Sequence, residues 1–270
     1  MFIDMMFVPQ VFWSDKDLSH IVAVLIPDAT DRPRMVAALR EDDDLLEAML
    51  NDDRLFENLM ENPDGFLNIS ARLFFTVLLN RTRSDLRKQT FTFERDNRYS
   101  VVIFDSSAVL EFLDDPIVRA YLAAVLASFV RIETRTVYVR VQRTVLRKIR
   151  VNDFDIDSLI EYSKLVGEEQ QTLLWKRIGD ICLFLVGVFS DHLDVGRQLP
   201  NAWYRTKTKE ELAECGSYYY RAASRRQRGL PNGVDHAMRR VSEEFLLATK
   251  PLIYLSSRYL GFVQHTVFLQ

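Results

Sequence analysis

The sequence predicts a mainly α-helical, multi-helix globular bundle with one short β-hairpin at about residues 90–104, and three observations carry that prediction. Apolar residues recur at helical spacing in successive runs from Met35 to Phe262. Turn and breaker residues separate those runs at Pro27, at Asn62-Pro63-Asp64-Gly65 and at Gly229-Leu230-Pro231-Asn232-Gly233. Thr90-Phe91-Thr92-Phe93-Glu94 and residues 99–104, flanking a polar Arg95-Asp96-Asn97-Arg98 link, alternate and are rich in β-branched and aromatic residues. With 270 residues, 48% hydrophobic and 27% charged, the chain lies outside the compositional range of disorder and can bury a sizeable core. It reads as one domain, 1–270. A weak boundary near 151 would divide a helical part with the hairpin, 1–150, from a helical bundle, 151–270.

The elements follow in order. The first 30 residues are irregular apart from the apolar run 20–26, which fits a short strand or a buried helical turn stopped by Pro27. From Asp31 as cap and Pro33 in a first turn, apolar pairs mark short helices to Met60, punctuated by acidic clusters at 41–44 and 51–53. Ser70 caps a longer helix over 70–88. Past the hairpin, helices are expected at 106–113 and 116–130. The stretch 134–151 is contested: 137–141 alternates like a strand and the later half is helical, so a helix is expected from about Arg140. Further helices fall at 156–166, 170–193 and 209–227. Val234, Met238, Val241, Phe245, Ala248, Leu252, Leu255, Tyr259 and Phe262 then form an apolar seam at spacings of four and three. That seam, kinked at most by Pro251, serves either the bundle core or a homodimer contact through 234–262.

Several functions are disfavoured by what is missing. No phosphate loop, dinucleotide fingerprint, H-E-x-x-H, C-x-x-C or G-x-S-x-G occurs, and none of His20, His192, His236 and His265 has a glutamate three residues earlier. No cofactor, no metal and no familiar catalytic residue is expected. Cys182 and Cys215, the only cysteines, read as buried reduced thiols. The N-terminus lacks the basic start of a signal peptide, and the apolar runs 117–130 and 178–190 fall short of the roughly 20 residues a bilayer requires. A soluble, cytoplasmic protein with no membrane partner is the expectation.

Charge is uneven: residues 1–66 hold about 15 acids and 5 bases, residues 67–150 about 8 and 15, and the remainder about 15 of each. On the expected helix, Arg140, Arg143, Arg147 and Arg150 would form one guanidinium stripe, suited to nucleic-acid phosphates or to the acidic N-terminal third. The order of helix 70–88 and hairpin also matches the end of a winged helix, although its Leu73-Phe74-Phe75 and Val77-Leu78-Leu79 runs suit burial better than a groove.

The other candidate site lies on the helices at 170–193 and 209–227. After Asp180 the first of these is apolar on nearly every face, so the carboxylate needs partners, with Lys176 and Arg177 a turn before it. His192 falls near the helix end. Tyr218, Tyr219 and Tyr220 span about 200° of the second helix, so they cannot share one core face, and Arg221 follows them. Arg177-Ile178-Gly179-Asp180-x-x-Leu183-Phe184-x-x-Gly187-x-Phe189, followed by the tyrosine triplet, resembles a pattern in bacterial proteins of unknown function. The resemblance covers about 50 residues, implies no reaction and favours treating the two helices as one unit. The sequence therefore points to a non-catalytic binding or scaffold protein with a protein or small-molecule partner between these helices, around Arg177, Asp180, His192, Tyr218, Tyr219, Tyr220 and Arg221. Nucleic-acid binding is the alternative, and an enzyme with an unrecognised site is a third.

Overall fold

The computed structural model describes residues 13–61, 69–88, 91–96, 99–130, 134–142, 145–152, 154–190, 207–226 and 233–260. The structure is mainly helical. Its N-terminal helices are α1 (Asp15–Leu25), α2 (Arg32–Glu41), α3 (Asp43–Leu50) and α4 (Asp53–Glu61). Their brevity is written in aspartates that stop one helix and start the next. The backbone N–H of Asp42 closes α2 on Ala38 O, while its side chain accepts from Leu45 N at 2.9 Å and caps α3. Asp31 caps α2 by accepting from Arg34 N, with Pro33 in the first turn as expected. The 20–26 run, open between strand and helix, belongs to α1.

Helix α5 (Ala71–Lys88) begins where the Ser70 hydroxyl accepts from Leu73 N. Residues 73–80 are all buried, and the Asn80 amide donates to Leu50 O at the end of α3, occupying a carbonyl that the helix leaves open. Strands β1 (Phe91–Asp96) and β2 (Tyr99–Asp105) pair antiparallel with an irregularity between Thr92 and Phe93. Helices α6 (Ser106–Asp114) and α7 (Pro116–Ala127) follow, the second capped by Asp115 through Ile117 N and Val118 N.

The helix expected from Arg140 is absent. In its place β3 (Thr134–Gln142) and β4 (Val145–Asn152) form a second antiparallel ribbon, Val139 opposite Arg147 and Thr136 opposite Arg150. Alternation decided these residues because a period of two was already established over 137–141, and pairing extends it to the following segment.

The C-terminal half comprises α8 (Ile156–Ser163), α9 (Glu168–Val188), α10 (Lys209–Ser224), α11 (Val234–Glu243) and α12 (Phe245–Leu255), closed by a π-helical turn at Ser256–Leu260. Thr208 and Glu211 form a capping box at the start of α10. The seam does not run through one helix, because it breaks at Glu244 between α11 and α12. Its residues from Val234 to Tyr259 are buried inside the chain, which corrects the homodimer expectation: the seam is core. Phe262, and the turn at 62–65, lie outside the described residues.

Helix α9 is the axis of this half, with all but Trp175 buried from Thr172 to Val188. Helices can approach it closely because glycines stand where it meets them. A Cβ at Gly179 would fall 2.6 Å from the Tyr220 ring of α10, and one at Gly216 would fall 2.4 Å from the Phe245 ring and 2.8 Å from Cys182 Cβ. Among the described residues no helix is long and apolar enough to cross a membrane.

These contacts set an expected outcome. Gly179→Ala and Gly216→Ala should each lower unfolding free energy by about 1–3 kcal/mol in urea titrations, since the added methyl overpacks a buried ring. Gly167→Ala, which meets nothing within 4 Å, should change it by less than about 1 kcal/mol.

Candidate functional site

Asp180 lies in the middle of α9 at 1% exposure, one turn after Lys176 at 3%. Its Oδ2 accepts from Lys176 Nζ at 2.7 Å. Its Oδ1 accepts from two phenols, Tyr121 of α7 at 2.8 Å and Tyr220 of α10 at 2.9 Å. The two tyrosine rings meet edge to face at 6.0 Å, and the Lys176 ammonium lies 5.2 Å from the Tyr121 ring centre. A carboxylate has about four lone-pair sites, and three are filled by buried groups. The cluster is thus closed upon itself.

Protonation follows from burial. Desolvation pushes the phenols of Tyr121 and Tyr220 well above their ordinary range, and the Asp180 charge adds to the effect. Desolvation lowers Lys176, while Asp180 acts to hold its proton. Arg177 turns away from Asp180: its guanidinium donates to Ser128 Oγ at 2.6 Å and lies 4.0 Å from the Phe129 ring centre.

The expected convergence of Asp180 with a tyrosine is found, and the tyrosine is Tyr220. The other expected residues disperse. Tyr219 packs against Trp175, and burial pushes its phenol up to about 12. Tyr218 is 66% exposed, and Arg221 is exposed on the outer side of α10. His192 lies outside the described residues, as does Arg143. Arg140, Arg147 and Arg150 belong to β3 and β4 and not to a helix, so the helical spacing of three and four does not apply to them. Helix α5, the candidate recognition helix, is buried over 73–80, an unsuitable state for a helix entering a groove.

Tyr121 was missed because nothing in its own neighbourhood marks it: its partner is on another helix. A second buried carboxylate was also missed. Asp85 of α5 accepts from Tyr259 and Tyr254, pairs with Arg81 at 2.9 Å and lies 3.6 Å from Arg258. The two cysteines, Cys182 buried on α9 and Cys215 half-buried on α10, influence each other: burial raises the Cys182 thiol, whereas the neighbouring Cys182 thiol acts to hold Cys215 below its ordinary value.

A concave surface opens on the other side of α10. A cleft of about 440 Å³ is lined by Arg221, Ser224 and Arg225 from the end of α10 and by Arg239, Ser242 and Glu243 from α11. The Ser217 hydroxyl donates to Ser242 O at 2.6 Å and ties the two helices together. Ser224 and Ser242 donate to carbonyls of their own helices, at Arg221 O and Arg239 O, so the guanidinium groups are the donors left for a ligand. Those groups are lightly engaged: Arg221 donates to Ser217 Oγ at 3.3 Å and Arg239 lies 3.6 Å from Asp235. Arg221, singled out in the sequence behind the tyrosine triplet, stands in one wall of this cleft; the other wall comes from a separate helix.

Compared with protein families, curated proteins and solved structures, the chain matches none.

Two outcomes follow from the buried cluster. Asp180→Asn keeps an acceptor for the tyrosines but leaves the Lys176 ammonium unpaired, and should cost about 3–5 kcal/mol in chemical denaturation. Adding Lys176→Met should recover most of that loss; additive losses would mean that the pair is uncoupled. Alkaline pH supplies the second outcome. A raised phenol keeps in the folded state a proton that the unfolded chain loses at about pH 10, so its stabilisation is full below that pH and declines above it. Lys176 acts oppositely, its cost being relieved as pH approaches about 10.5, where its unfolded form also loses the proton. Beyond that only the tyrosines still act, so unfolding and tyrosinate absorbance should rise together between about pH 10 and 12.

Proposed function

We propose that this chain is a non-catalytic binding protein whose ligand occupies the cleft between α10 and α11, on the outer side of the helix pair that bears Asp180. The observation that carries this reading is the contrast between the two polar groupings. Asp180, Lys176, Tyr121 and Tyr220 are at most 4% exposed and spend their hydrogen bonds on one another, which suits them to holding helices rather than meeting a substrate. The cleft instead offers exposed donors around a concave space within the usual range of ligand sites, roughly 300–1,000 Å³. Guanidinium groups bind and orient anions, and the two lining serines spend their hydroxyl protons on helix carbonyls rather than on a base such as Glu243.

A thermal-shift screen of the full chain against a metabolite library of anionic, neutral and cationic compounds tests this. Stabilising compounds should be anionic, should be recovered unchanged after incubation, and should lose their effect in an Arg225→Glu/Arg239→Glu variant. Compounds that act equally on the variant would place the site elsewhere, and compounds consumed during incubation would make the protein an enzyme.

A further inference from the structure

We infer that the cleft between α10 and α11 is a site for a phosphomonoester, with Arg221, Arg225 and Arg239 grasping the phosphate and the remaining space holding the organic group; this rests on the binding reading above. Number and kind of donors lead to the ligand class. Three guanidinium groups from two helices line one space, each a planar fork that matches pairs of oxygens on a carboxylate or phosphate. A carboxylate has two oxygens and is served by one such fork. A phosphomonoester has three terminal oxygens and carries up to two negative charges, so it can engage all three.

The charge around the cleft agrees. Arg221, Arg225 and Arg239 face Glu243 in the lining, and Asp235 stands beside Arg239, giving three positive against two negative groups. A net excess of one charge attracts a small anion. Guanidinium groups with so little internal pairing also give up little on binding: Arg225 has no hydrogen-bond or ion-pair partner among the described residues, and the Arg221 and Arg239 contacts are long. The cleft, at about 440 Å³, is far larger than the roughly 30 Å³ share of a water molecule and exceeds what a bare phosphate would fill. Tyr218, one turn before Arg221 and 66% exposed, borders the same outer side of α10 and offers a ring face to the organic part.

Isothermal titration of the full chain at fixed ionic strength tests the inference with four probes: inorganic phosphate, phenyl phosphate, benzoate and a single-stranded DNA oligonucleotide. Phenyl phosphate should bind at least tenfold more tightly than benzoate and more tightly than inorganic phosphate. Its affinity should fall as pH drops through about 6, where the phosphate gains its second proton. Arg225→Ala and Arg239→Ala, both at exposed positions, should each weaken it at least tenfold with no change in the urea midpoint, and Tyr218→Ala should weaken phenyl phosphate but not inorganic phosphate. Absence of phosphate binding, or binding that survives both arginine substitutions, overturns the inference. Benzoate binding as tight as phenyl phosphate, lost in the same variants, overturns the phosphate assignment and leaves the binding cleft standing. Tighter binding of the oligonucleotide than of phenyl phosphate overturns it in favour of a nucleic-acid surface.

Discussion

A carboxylate buried in the apolar part of a helix must be met by polar groups, and Asp180 determines which neighbours supply them. Its oxygens are reached by Lys176 from its own helix, Tyr121 from α7 and Tyr220 from α10, so one side chain ties three helices together. Gly179, the preceding residue, supplies the complementary space: without a side chain there, the Tyr220 ring lies flat enough on α9 to bring its hydroxyl to Oδ1. A pair of this kind adds little net stability over an apolar alternative. What it does is penalise every other arrangement, because a helix register that leaves Asp180 unmet costs several kcal/mol.

The same device recurs in the other half of the core. Asp85 on α5 is met by Tyr254 of α12 and by Tyr259 of the following π-helical turn. Tyr259 reaches Asp85 from within that π turn, a rare local geometry. Asp17 is a third variant, shared between the Ser14 hydroxyl and Ser70 N, so the start of α1 and the start of α5 are held by one buried carboxylate. In each case a carboxylate that would be costly alone becomes a fixed point between segments far apart in the chain.

That distance explains what could be read from the sequence. Asp31, Pro33 and Ser70 act on residues within one turn, so the helix starts they define were legible. The need of Asp180 for a partner was legible too, because an acid inside an apolar helix is a local anomaly. The identity of Tyr121, 59 residues away, was not, since a tyrosine among apolar residues is equally at home in any core. The seam after Val234 kept its heptad pattern across Glu244 because buried positions on two successive helices repeat as they would on one. At 134–152 two periods were superimposed: arginines at three and four, apolar and β-branched residues at two. The spacing of the arginines had no structural cause, whereas the alternation did.

Net charge by segment is a poor guide for the same reason. The middle third carries the basic excess, yet most of its helical arginines are paired: Arg81 with Asp53 and Asp85, Arg83 with Glu47 and Asp114, Arg87 with Asp114, and Arg119, buried, with Glu47 and Leu113 O. Much of that excess is answered by the acidic N-terminal helices folded against it. The C-terminal part is balanced in total but not in space, because three of its arginines share one cleft while several of its acids cap or pair locally, as Glu211 does with Thr208 and Glu244 with Arg240. A ligand responds to the field where it binds, and that field is set by which charges remain unanswered after folding. The proposed cleft therefore lies in the segment whose net charge is unremarkable, between α10, which Tyr220 anchors to Asp180, and α11, which the Ser217 hydroxyl ties to α10.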